Sequence, residues 1–157
     1  FCLRGQYVQR SSIHQIVRNA SGESQPARQL YDVSAIEQVF QQSREREQGL
    51  RLLMLSTADG RAVAEDSTLG VDGRRLAAMA NSFLTLGETV SRELALSDAD
   101  YATICTKLGN VVLIRIPADK PLTLTAVAGH EVNMAVLLFN ARDCASRLDA
   151  VLRVRAA

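Results

Sequence analysis

The sequence predicts an α+β domain: a five-stranded antiparallel sheet with helices on both faces, in the order αββαβββα. Three observations carry this. Five short runs with strand character are bounded by turn residues, and runs that follow one another directly are close enough to be hairpins. Three longer segments repeat apolar residues at three- and four-residue steps, the period of a helix with one buried stripe. With 47% hydrophobic and 22% charged residues in 157, the balance is that of an ordinary globular domain with one core.

The first helix is predicted from a capping box, Ser34-Ala-Ile-Glu37, in which Ser34 accepts from the amide at Glu37 and the Glu37 carboxylate reaches back. Ile36, Val39 and Phe40 give its apolar side, Arg44-Glu-Arg-Glu47 a solvated end, and Gly49 its stop. Leu50 to Ala64 then reads as a hairpin forming the inner part of the sheet. Asp59-Gly60 sits between two apolar runs, and both residues tolerate positive φ.

Asp66 to Gly73 is a polar connection, and Asp72 suits the positive end of the next helix. Leu76, Met79, Ala80, Phe83, Gly87, Val90 and Leu94 form its stripe, widened by Ala77, Leu84 and Leu86 beyond what one sheet face requires. Such a helix has two things to pack against, and Ala77, Ala80 and Gly87 let a second backbone come close.

Tyr101 to Lys107 alternates as a strand, with Tyr101, Thr103 and Cys105 on one face and Ala102, Ile104 and Thr106 on the other. Gly109-Asn110 makes a tight turn into Val111–Ile116, an interior strand apolar on both faces except for Arg115. Leu122–Val127 alternates strictly. After Gly129 a last helix places Met134, Leu137, Leu138, Ala141, Cys144, Ala145, Leu148 and Val151 on one face, with Arg142, Asp143 and Arg147 opposite.

Residues 1–31 read differently: four arginines against the single acid Glu23, with the polar stretch Ser21–Pro26, as in a basic arm or the end of an upstream element. The domain proper is 32–157. A first residue of Phe is expected of a piece of a longer chain. No apolar run approaches the roughly 18 residues of a membrane span, and no signal-peptide core stands near the start. A net charge of +1 argues against a strong nucleic-acid partner. Of 18 basic residues 16 are arginine, a composition bias rather than an arginine-specific site. Cys2, Cys105 and Cys144 are expected as free thiols, the latter two buried, in a reducing, cytoplasmic setting.

The element order, Leu53–Ala64, Arg75-Leu-Ala-Ala-Met-Ala80, Val111–Ile116 and Asn133-Met-Ala-Val-Leu-Leu138 together resemble the roadblock / dynein light-chain family and its profilin-like and longin-like relatives. The resemblance runs from about Val33 to Leu152, with Ala135 where the family usually has glycine. It implies a homodimer in which the third strand and the second helix each meet their mates. Ala77, Ala80, Leu84, Gly87, Tyr101, Thr103, Ile104 and Cys105 are its expected contacts. The residues agree: the third strand lacks the charges or proline that protect an open edge.

Catalytic constellations are absent. His14 and His130 are the only histidines, and His130-Glu131-Val132-Asn133 lacks the second histidine of a zinc-protease helix. No Walker loop, GxGxxG or GxSxG occurs. No catalytic residue, metal or cofactor is therefore expected. The resemblance implies a scaffold or regulator that binds Ras-like small GTPases, or that assembles motor, motility or signalling complexes, as bacterial members do. Docking would fall on exposed positions of the second helix: Arg74, Arg75, Asn81, Thr85 and Glu88. The alternative is a small-molecule sensor, which needs a cavity with convergent polar groups.

Overall fold

A computed structural model of the chain describes residues 30–156. The expectations for residues 1–31 fall, apart from Leu30 and Tyr31, outside the described residues. The elements are α1 (Val33–Arg46), β1 (Leu50–Thr57), β2 (Ala62–Ser67), α2 (Gly73–Glu93), β3 (Tyr101–Cys105), β4 (Gly109–Ile116), β5 (Leu122–Gly129) and α3 (Met134–Ala156). The strands make one sheet in the order β2-β1-β5-β4-β3, every neighbouring pair antiparallel. β5 is its centre. The β1–β2 hairpin lies at one end, so β1 is interior but β2 is an edge.

Alternation along the strands divides the interior into two layers. Leu53 and Leu55 of β1, Val112, Ile114 and Ile116 of β4, and Leu122, Leu124 and Ala126 of β5 face α1 and α3. There Ile36, Val39 and Phe40 meet Leu137, Ala141, Cys144 and Leu148 in the principal core. The opposite face carries Leu52, Met54 and Leu113, covered by α2 alone through Ala77, Ala80 and Leu84.

Several local details differ from the sequence expectation. Asp32, not Ser34, caps α1: its Oδ1 accepts from the amide of Ala35 at 3.1 Å. The chain enters with Tyr31 and Val33 already packed on the core, which fixes the start two residues earlier. Gly49 is not a left-handed stop, because the helix ends at an extended Glu47. A Cβ at Gly49 would collide with the Val132 side chain, so close packing is its role. Arg44 is not part of a solvated end. Its guanidinium pairs with Asp66 at 2.6 Å and donates to the carbonyls of Leu50, Arg51 and Asp66, tying α1 to the hairpin.

The first turn spans residues 58–61, and only Gly60 adopts positive φ, at 81°. Asp59 instead accepts from the Thr57 hydroxyl and from Arg61, whose hydrogen bond holds the carboxyl below its ordinary range. The second turn is Thr106–Gly109 rather than Gly109-Asn110. The Thr106 amide donates to the Gly109 carbonyl at 3.0 Å, and both Gly109 and Asn110 already belong to β4.

Candidate interaction surface

α2 begins as the sequence predicts, with Asp72 Oδ1 accepting from the amides of Arg74 (3.0 Å) and Arg75 (3.3 Å). Its apolar residues divide into two stripes. Ala77, Ala80 and Leu84 are buried on the chain's own sheet, Ala77 and Leu84 completely. Met79, Phe83, Leu86 and Val90, about a third of a turn around the helix, are exposed, Met79 at 57% and Leu86 at 61%. Leu94 and Leu96 continue this exposure beyond the helix. The arc is as wide as the sequence suggests, but its residues are assigned differently. Ala77, Ala80 and Leu84 lie beneath the helix with no surface to offer, while Gly87 has open space where a Cβ would stand.

β3 pairs only with β4, and its other side is bare among the described residues. Ala102 packs with Leu113 and Leu84 under α2; Tyr101, Thr103, Ile104 and Cys105 are exposed. Cys105 is therefore not the buried thiol expected. As the outermost strand, β3 has no strand beyond it among the described residues. Tyr101 lies on the α3 side, with the Arg142 guanidinium 5.0 Å from its ring centroid. The other edge is unlike it: β2 carries Glu65 and Asp66.

Beneath α2 the strand alternation brings Ser56, Thr123 and Arg115 into one cross-strand row. Arg115 donates to both carboxylate oxygens of Glu88 (3.0 and 3.2 Å), to Asn81 Oδ1 (3.2 Å) and to Thr123 Oγ1 (2.8 Å). Asn81 accepts from Thr123 and donates to Ser56 Oγ and the Ala77 carbonyl. Two of the expected docking residues are thus engaged inward: Asn81 is buried, and Glu88 is four-fifths covered in its pairing with Arg115. Arg74, Arg75 and Thr85 are exposed. Sequence reading missed the network because its members come from α2 and three strands.

Cys144 is buried as expected, and burial pushes its thiol up to about 11. His130 is exposed beside Glu131. Among the described residues no cluster of three or more histidine, cysteine or acidic side chains is placed to hold a metal, and no helix is long and apolar enough to cross a membrane.

No protein-family model matches the chain, and no curated protein does. Solved structures match well. Myxococcus xanthus MglB superposes with a TM-score of 0.69 at 7% identity, over 79% of this chain and 92% of that one. The gliding protein MglB from Thermus thermophilus gives 0.67 at 12% identity, over 77% and 90%. A roadblock/LC7 domain from Streptomyces avermitilis gives 0.65 at 15%, over 74% and 96%. At such identities the likeness is one of architecture. The chain is a roadblock-like α+β domain.

Proposed function

We propose that this chain is a non-catalytic homodimeric scaffold or regulator whose partner is a Ras-like small GTPase or another protein of a motility or signalling complex. The observation that carries the reading is the exposed apolar stripe Met79, Phe83, Leu86 and Val90 on α2, together with the uncharged, open outer edge of β3. Apolar residues grouped on one helix, next to an open strand edge, mark an association surface. A twofold axis perpendicular to the sheet at β3 keeps the faces in common, so α2 and its mate lie together and antiparallel. The stripe, with Gly87, is the helix contribution; Tyr101, Thr103, Ile104 and Cys105 are the strand contribution.

The shared fold with MglB, described as a gliding protein, supports a motility or signalling role. Arg74, Arg75 and Thr85 remain the docking positions; Asn81 and Glu88 do not. The ligand-sensor alternative gains no support, since Ser56, Asn81, Glu88, Arg115 and Thr123, which converge between α2 and the sheet, are hydrogen-bonded to one another, leaving Thr125 Oγ1 as the one buried hydroxyl without a partner on that face among the described residues.

Light scattering of the full chain should give twice the protomer mass at micromolar concentration, and Thr103→Asp should give a monomer. Capture assays with the small GTPase encoded nearest the gene, loaded with GTP or GDP, should show nucleotide-dependent binding weakened by Arg75→Glu. A monomeric wild type removes the dimer. Nucleotide-independent or absent capture removes the GTPase partner.

A further inference from the structure

We infer that the β3 edge takes a second copy of the chain in one register, with Thr103 opposite Thr103 of that copy. The inference rests on the homodimer reading and fixes what that reading leaves open.

Hydrogen-bond parity limits the choices. The Thr106 amide donates to the Gly109 carbonyl, and the same register pairs Ile104 with Val111 and Ala102 with Leu113. In an antiparallel ladder, facing pairs alternate between exchanging hydrogen bonds and not. Ala102 and Ile104 therefore spend their amides and carbonyls on β4. Tyr101, Thr103 and Cys105 turn theirs to the open side.

A twofold partner must match outward residues with outward residues. Centred on Thr103, the pairing sets Tyr101 against Cys105 of the second copy, Thr103 against Thr103, and Cys105 against Tyr101. Each facing pair exchanges two main-chain hydrogen bonds, so every outward group of the strand is satisfied. Centring on Ala102 or Ile104 leaves an outward residue at one end of each strand with no strand residue opposite.

The flanking charges favour the same register independently. Asp98 and Asp100 precede β3, Lys107 follows it, and all three are exposed. Antiparallel pairing about Thr103 carries Lys107 to the level of Ala99 of the second copy, between its Asp98 and Asp100. This happens at both ends of the paired strands. Opposite charges so placed fix register more than they add affinity.

Disulfide trapping tests this. In a Cys2→Ser, Cys105→Ser background, Thr103→Cys should oxidise to a linked dimer, its facing Cα atoms being about 5.5 Å apart. Tyr101→Cys with native Cys105 should link as well. Wild-type Cys105 should not link to itself, because the stagger separates the two copies by roughly 13 Å. Lys107→Glu should raise the dimer dissociation constant roughly fivefold, and Asp98→Lys with Asp100→Lys should restore it. A dimer by light scattering in which Cys105 links to itself and Thr103→Cys does not would overturn the register and leave the dimer standing. A wild-type monomer would overturn both.

Discussion

Arg115 is the residue whose surroundings the sequence left undescribed. Its charge in an otherwise apolar strand is plain to read, but its partners come from α2 and β5, 27 and 8 positions away for Glu88 and Thr123. Only the sheet order brings them together. Replacing Arg115 with Met should cost about 2 kcal/mol, because Glu88 keeps a mostly buried charge with no cation beside it. The double replacement Arg115→Met, Glu88→Met should recover most of that loss. Urea denaturation of the full chain checks both. Asp32 teaches a related lesson. Asp32 and Ser34 can both cap a helix, and the packing of Tyr31 and Val33 on the core decides between them.

At the scale of elements, the helices were legible because periodicity reports burial directly. All eight residues named for the core face of α3 lie in or against the principal core. For α2 the pattern gave the width of the apolar arc but not its division, since a residue facing the chain's own sheet and one facing outward look alike in sequence. Paired substitutions separate the two stripes. Leu84→Ala should destabilise the fold by about 2–4 kcal/mol, as removal of a fully buried leucine does. Phe83→Asp, on the outer stripe, should leave the protomer folded by circular dichroism yet shift sedimentation toward the monomer. Turns were the least legible parts. Gly109-Asn110 has turn chemistry, but β4 claims both residues through their pairing with Ala128 and Gly129.

For the whole molecule, element order and the shortness of the strand connections gave the α+β class, and the resemblance carried by Leu53–Ala64, Arg75–Ala80, Val111–Ile116 and Asn133–Leu138 reached the roadblock-like architecture shared with MglB. Which edge stays open depends on strand order; the resemblance implied the third strand, and the order β2-β1-β5-β4-β3 places it at one edge. The contrast between the edges matters for how large an assembly can grow. β2 ends the sheet with Glu65 and with Asp66, the latter held by Arg44, charged groups of the kind that keep an edge strand from pairing. In the proposed dimer, joining through β3 would consume the uncharged edge of each copy and leave the charged β2 edge at both outer limits. Addition of strands would then terminate after one step, and the proposed dimer would carry its own stop against becoming a filament.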